Sequence, residues 1–142
     1  MNMHKVFLDT NVLLDYLFDR EEFVQDAAAI LVAAQGGKVS LCVSALTFAN
    51  IAYIARRKYK GASLYALLES VRKMCEVAPV DETVIDNALL LQAHDFEDAI
   101  QYCSALATRC DCIVTRNWRD FGFAKVAVYT PHQFLAQAGG VL

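Results

Sequence analysis

Acidic residues at the ends of predicted strands are the side chains of this sequence that are best suited to chemistry. Asp9 ends the apolar run at residues 6–8, and apolar residues return on a helical spacing from Val12. A short apolar run followed directly by a helix is typical of a buried parallel strand. The pattern therefore places the Asp9 carboxylate at the C-terminal end of a strand, where open α/β sheets bind their ligands.

Two more polar clusters occupy similar positions in the chain. Asp95, Glu97 and Asp98 stand at the start of a predicted helix, and residues 115–120 (TRNWRD) follow a predicted strand. The C-terminal ends of the strands and the N-terminal ends of the following helices lie at the same edge of a parallel sheet. We therefore expect the three clusters to converge.

Converging carboxylates favour a bound cation. Neighbouring carboxylates raise one another's pKa values unless a positive charge lies between them. Mg²⁺ and Mn²⁺ prefer oxygen ligands and keep some of their water. Such an ion can activate water and neutralise charge that develops on a phosphate. The pattern thus predicts a divalent-metal site that cleaves phosphodiester bonds.

Each of these polar residues also has a simpler interpretation. Asp9 would cap the first helix, Asp95 or Asp98 would cap the penultimate one, and Asn117 or Asp120 would stabilise a turn. Taken singly, each residue is more typical of a cap than of a ligand. A metal site is favoured because all three clusters fall on one predicted edge.

Composition limits the class of protein. A chain of 142 residues suits one domain, here residues 1–142, and is long enough to bury a core. Hydrophobic residues make up 56% of the chain, yet no apolar run reaches the ~18 residues of a membrane span. The N-terminus does not resemble a secretory signal, so we expect a cytoplasmic protein without membrane contact.

Charge and cysteine usage exclude two further classes. The net charge of −3 argues against a broad positive face that binds duplex nucleic acid nonspecifically. The five cysteines form no disulfide or zinc framework, and we expect them to be buried free thiols.

Strands and helices alternate along the whole chain. Strands are predicted at residues 6–8, 38–43, 76–80, 112–115 and 126–129, with helices between them and a last helix from Pro131 to near Gly139 and Gly140. This alternation predicts an α/β fold, with helices on both faces of a parallel sheet.

Three segments resemble the PIN-domain family, in particular its VapC-like toxin ribonuclease group. They are residues 6–15 (VFLDTNVLLD), 98–105 (DAIQYCSA) and 113–121 (IVTRNWRDF). The resemblance implies a three-layer α/β/α sandwich with a central, mostly parallel five-stranded sheet. It also implies Mg²⁺- or Mn²⁺-dependent cleavage of RNA, and a cognate antitoxin protein that blocks the site.

The resemblance also assigns roles to individual residues. Asp9, Asp98 and Asp120 would bind the metal, and Asn117 would complete the catalytic site. Asn11 and Thr115 would support these ligands through hydrogen bonds. Arg116 and Arg119 flank the expected site and are candidates for contacts with RNA phosphates, while Trp118 would stack on a base or pack against the core.

One position departs from the family pattern. The family usually has an acid near the start of the third helix, where this chain has Asn50. Asn50 could still offer a neutral oxygen, with Asp95 or Glu97 as substitute acids. A PIN-fold binding or regulatory protein with weak or no nuclease activity is therefore the alternative. A receiver-like or flavodoxin-like module also has early acids at a strand edge, but it would need a phosphate-binding loop or a late buried lysine, and the sequence offers neither convincingly.

The predicted third helix is strongly apolar from Ala45 to Tyr59. An apolar helix of this kind could support a homodimer.

Overall fold

Helices and strands alternate through residues 5–138, the part of the chain that this computed structural model describes. The strands are β1 (Lys5–Leu8), β2 (Ser40–Ser44), β3 (Cys75–Ala78), β4 (Cys112–Val114) and β5 (Ala127–Tyr129). The helices are α1 (Thr10–Leu17), α2 (Val24–Gln35), α3 (Ala45–Ala55), α4 (Ala62–Met74), α5 (Glu82–Leu91), α6 (Phe96–Ala107) and α7 (Pro131–Gln137), and a 3₁₀ helix spans Trp118–Phe121.

The five strands form one sheet in the order β3-β2-β1-β4-β5. Every neighbouring pair is parallel. The chain winds outward from β1 in one direction through β2 and β3, and in the other through β4 and β5. The strand order therefore reverses between β1 and β4, which is where sheets of this type leave a crevice for a ligand.

Helices cover both faces of the sheet. Side chains of β1 alternate, so Val6 and Leu8 enter one core while Phe7 enters the other. The first core is completed mainly by α1, α2, α3, α4 and α7. The second is completed mainly by α5 and α6. This arrangement confirms the predicted three-layer α/β/α sandwich, with a fully parallel central sheet.

Several element boundaries differ from the predicted ones. The third helix ends at Ala55 rather than Tyr59. The penultimate helix begins at Phe96, three residues before the start at Ala99 that the sequence predicts, because the Asp95 side chain caps it by accepting a hydrogen bond from the backbone N–H of Asp98 at 3.2 Å. The predicted end of the last helix, near Gly139 and Gly140, lies outside the described residues.

The prediction about the cysteines is also confirmed. All five cysteines are buried and free. Between residues 5 and 138, every helix is too short or too polar to cross a membrane.

Candidate active site

The ends of β1 and β4 bring Asp9 and Thr115 together at the reversal of strand order. The Thr115 hydroxyl donates a hydrogen bond to Asp9 Oδ2 at 2.7 Å. Both residues are buried, with 3% and 0% of their surface exposed. Because a strand end fixes each partner, the Asp9 carboxylate is held at the crevice that the topology creates.

Asp9 occupies the N-cap position of α1 but does not act as a cap, since its side chain makes no capping hydrogen bond. Its other oxygen, Oδ1, instead accepts a hydrogen bond at 3.1 Å from Nε2 of Gln101 on α6. Burial raises the pKa of Asp9, and the hydrogen bonds from Thr115 and Gln101 act in the opposite direction. The capping interpretation of Asp9 is therefore wrong.

Gln101 is a site residue that the sequence analysis missed. Its side chain is 1% exposed, and its Oε1 atom has no hydrogen-bond partner among the described residues. A buried amide oxygen without a partner is costly unless a ligand or water meets it. The signal in the sequence was its spacing, because residues three apart on a helix share a face, and Gln101 follows Asp98 by three.

Asp98 lies in the first turn of α6, facing inward, and is 9% exposed. Burial raises its pKa to about 7, with further contributions from the negative charges of Asp95, Asp9, Asp120 and Glu97. The three acidic clusters predicted from the sequence therefore act on one another electrostatically. No positive side chain contributes to the shift, which distinguishes Asp98 from an ordinary ion-pair partner.

Asn117 and Asp120 stand on the exposed loop after β4. The backbone N–H of Asn117 donates to the Thr115 hydroxyl at 3.0 Å, so the loop is tied to the residue that holds Asp9. The negative charge of Asp120 contributes to the raised pKa of Asp98. The structure thus brings Asp120 into the electrostatic field of the buried acids, although its own side chain is exposed.

The acids are close enough to repel one another but are not packed into a cage. Among residues 5–138, no three histidine, cysteine, aspartate or glutamate side chains are close enough together to hold a metal ion. The side chains of Asp9, Asp98 and Asp120 therefore do not form a preassembled three-carboxylate site.

The sequence predicts an RNA contact for Arg116, but in the structure its side chain forms an ion pair with Asp15. Its Nε donates to Asp15 Oδ2 at 2.7 Å and its Nη2 to Asp15 Oδ1 at 3.3 Å. Its guanidinium also stacks on the Phe23 ring, 4.0 Å from the centroid. Arg20 adds a second cation, 3.2 Å from Asp15 Oδ1. The buried Asp15 carboxylate requires this compensation, so Arg116 is engaged in a structural ion pair.

Asn50 and Glu97 are joined across two helices. Nδ2 of Asn50 on α3 donates to Oε1 of Glu97 on α6 at 2.9 Å. Partial burial raises the pKa of Glu97, as do the charges of Asp95 and Asp9, while the hydrogen bond from Asn50 lowers it.

The sequence predicts that Asn11 supports the ligands through hydrogen bonds. Within the described chain, the side-chain hydrogen bonds to Asp9 come from Thr115 and Gln101 rather than from Asn11.

The loop after β4 also forms a cavity of about 350 Å³ beside the acids. It is lined by Arg116, Asn117, Trp118, Arg119 and Asp120. Trp118 is 48% exposed, so it does not pack the loop against the core. The Arg119 guanidinium lies 5.2 Å from the centroid of the Trp118 ring, within the range of a cation–π contact.

The chain is similar to known proteins in sequence and in fold. A family model described as PIN domain matches residues 5–119. The chain is 28% identical to Ribonuclease VapC1 of Aquifex aeolicus, over 94% of this chain and 95% of that protein.

Two solved structures show the same fold. VapBC-1 from nontypeable Haemophilus influenzae matches at 15% identity and a TM-score of 0.66, over 90% of this chain and 98% of that one. A toxin–antitoxin complex from Klebsiella pneumoniae matches at 21% identity and a TM-score of 0.64, over 89% and 98%. With the family model covering most of its length, this chain belongs to the PIN domain family.

Proposed function

We propose that this protein is an endoribonuclease that depends on Mg²⁺ or Mn²⁺ and cleaves RNA phosphodiester bonds. The observation that carries the proposal is the environment of Asp9. Its buried carboxylate is held by two neutral groups, on Thr115 and Gln101, beside a second buried acid, Asp98. Buried negative charge without a protein cation is the arrangement expected where an external cation binds.

The residues present fit a hard divalent cation. Mg²⁺ is typically bound by one or two carboxylates together with water and substrate phosphate, so a three-acid cage is not required. Asp9 and Asp98 supply the two carboxylates, and the unpartnered Oε1 of Gln101 adds a neutral oxygen beside Asp9. Asp120 and Asn117 would complete the site from the loop, with Asp95 in support as the cap of α6.

The chain's own residues would contribute orientation and charge to the reaction. Thr115 and Gln101 fix both oxygens of Asp9, so that its carboxylate does not reorient when substrate binds. Asp98 and Asp120 add negative charge to the site. A bound divalent ion would lower the pKa of water and neutralise charge on the phosphate.

The exposed loop would contact the RNA. Arg119 is the stronger candidate for a phosphate contact, because Arg116 already pairs with Asp15. The half-exposed ring of Trp118 is suited to stacking on an unpaired base, which favours a single-stranded or looped substrate. The 28% identity to a protein named as a ribonuclease supports the same substrate class.

A cleavage assay on single-stranded RNA tests the proposal. The wild-type protein should cut in Mn²⁺ or Mg²⁺ and stop when a chelator is added, and Asp9→Asn should abolish cutting. Asp86→Asn removes an exposed acid from α5 and serves as the matched control. Cleavage by Asp9→Asn at the wild-type rate would show that the site assignment is wrong.

A PIN-fold binding protein without catalysis is the second candidate. Asn50 in place of the usual acid is the observation that favours it. The two candidates differ in their response to metal, because a non-enzyme needs no cation. Wild-type protein whose melting temperature does not change in millimolar Mn²⁺, and which cuts no RNA, would favour the binding protein.

A cognate antitoxin is the partner that the similarities support. Structures with the same fold include a toxin–antitoxin complex and several VapBC proteins. We propose that an antitoxin encoded next to this chain covers the acidic crevice. Co-expression should yield a stable complex in which RNA cleavage is suppressed, and independent elution of the two proteins would contradict this.

The homodimer predicted from the apolar third helix stays a prediction. Tyr53 and Ile54 on α3 and Tyr65 on α4 are exposed, which is consistent with a covered face. Light scattering at high concentration should give twice the monomer mass, and a monomer throughout would exclude the dimer.

A further inference from the structure

The helix that follows β2 has no acid with which to contribute to the site. Between Ser44 and Lys60 the chain contains no aspartate or glutamate. Asn50 is a half-buried polar residue of α3 whose side chain contacts α6. Its amide can donate a hydrogen bond to an acid, but it is neutral and brings no negative charge to a cation site.

The amide of Asn50 holds an acid that the neighbouring helix supplies. Its Nδ2 atom lies 2.9 Å from Oε1 of Glu97. An ionised carboxylate accepts hydrogen bonds only, so the donor end of the Asn50 amide is the end that must face it. An exposed glutamate in the first turn of a helix usually moves freely in solvent. Here, a contact 47 residues away in sequence fixes its direction.

The held carboxylate stands next to one of the buried acids. Glu97 directly precedes Asp98 in the first turn of α6, and Gln101 lies one helical turn after Glu97 on the same helix. Gln101 supplies an independent observation from the same helix. Its amide contacts Asp9, yet its buried Oε1 has no partner within residues 5–138, which leaves one acceptor for a ligand or water.

We propose that Glu97 supplies the acid that α3 lacks, adding its negative charge at the rim of the divalent-cation site without being a third direct ligand, and that Asn50 is its positioning residue. The inference rests on the proposed function, because it names a further group of the same cation site. The acidic group then stands on α6 instead of α3, and the Asn50 amide on α3 orients it. The site then has Asp9 and Asp98 in its interior and Glu97 at its rim.

Mn²⁺ binding to the full chain, measured by calorimetry and by the shift in melting temperature, tests the proposal. Glu97→Gln should weaken Mn²⁺ binding by about 10- to 100-fold, the range found when groups around a metal site are removed. Glu82→Gln is the matched control, since Glu82 is an exposed glutamate in the first turn of α5, behind a similar aspartate cap. It should bind Mn²⁺ like the wild type.

A position swap separates a cation-binding role from a structural one. Asn50→Glu combined with Glu97→Gln returns the acid to α3 and should recover most of the Mn²⁺ affinity that Glu97→Gln loses. Asn50→Ala should weaken binding less than Glu97→Gln does, because the carboxylate remains but is no longer held. If the hydrogen bond only joined the two helices, these variants would melt at lower temperature without metal and bind Mn²⁺ normally, which would overturn the proposal.

Asp9→Asn distinguishes failure of this inference from failure of the proposed function. If Asp9→Asn loses Mn²⁺ binding while Glu97→Gln keeps wild-type affinity, the metal site stands and the role of Glu97 is rejected. If wild-type protein binds no Mn²⁺, both proposals are rejected together.

Discussion

Asp9 and Asp15 are both buried carboxylates of the segment 6–15, yet they have opposite surroundings. Asp15 is bound by Arg116 and Arg20. Asp9 is bound by Thr115 and Gln101, neither of which carries a charge. A buried acid paired with arginines holds a fold together, whereas one left without a cation indicates a site for an external one.

One loop contacts both of these acids. Thr115 and Arg116 are neighbours after β4, and they contact Asp9 and Asp15 respectively. The loop that continues to Asp120 is therefore anchored to α1 at two points. This anchoring gives the exposed loop a fixed position beside the acids.

The largest expected effect is on activity and comes from Asp9. We expect Asp9→Asn to reduce RNA cleavage by about 1,000-fold, which corresponds to the several kcal/mol that a metal ion contributes. The free energy of unfolding should stay within about 1 kcal/mol of wild type, because a neutral side chain replaces an uncompensated charge. Single-turnover cleavage and urea denaturation measure the two quantities. A large loss of stability would mean that Asp9, like Asp15, has a structural role.

The next effect is on stability and comes from the ion pair. Arg116→Met should lower the free energy of unfolding by about 3 kcal/mol, since it leaves Asp15 buried with only Arg20 beside it. Arg119→Met is the matched control, because Arg119 is an exposed arginine three residues along the same loop, and it should change stability by less than about 0.5 kcal/mol. Equal stabilities in urea would contradict a structural role for the pair.

The dependence of stability on pH should reveal the uncompensated acid Asp98. Its pKa is raised to about 7 in the folded protein. Without metal, the stability that protonated Asp98 contributes is therefore fully present below about pH 4 and is lost as the pH rises through 7. Asp98→Asn should remove this decline and, at pH 8 with a chelator, stabilise the protein by about 1–2 kcal/mol.

Urea denaturation at pH 5 and pH 8 measures the effect of Asp98→Asn, with Asp86→Asn as an exposed control. An Asp98→Asn variant that is less stable than wild type at pH 8 would show that the Asp98 charge is compensated after all.

The smallest effect should come from the RNA-facing loop. Trp118→Ala should raise KM for single-stranded RNA by about fivefold, the low end of the range for base stacking because the ring is already half exposed. Mn²⁺ affinity should not change. An unchanged KM would assign the exposed ring to another partner.

The sequence was informative where structure depends on neighbouring residues. Short apolar runs that end in polar residues located the strands, and alternation with helices predicted the parallel sheet, because these patterns follow from local burial. Ser44 and Asp81 are residue types that favour helix N-caps, and both side chains accept hydrogen bonds from the backbone two or three residues later.

The remaining features depend on contacts between residues far apart in the chain. Gln101 meets Asp9 across 92 residues, and Arg116 meets Asp15 across 101. Nothing local distinguishes Asp15 from a solvent-facing acid of α1, or Arg116 from an arginine that binds phosphate. Only the packing of the loop after β4 against α1 assigns their roles.

Diffraction from crystals soaked in Mn²⁺ and measured at its absorption edge tests the central claim most directly. We predict an anomalous peak within coordinating distance of both Asp9 and Asp98, and none beside Asp15. Protein that cleaves RNA in Mn²⁺ but shows no peak at Asp9, or shows one only elsewhere, would contradict it.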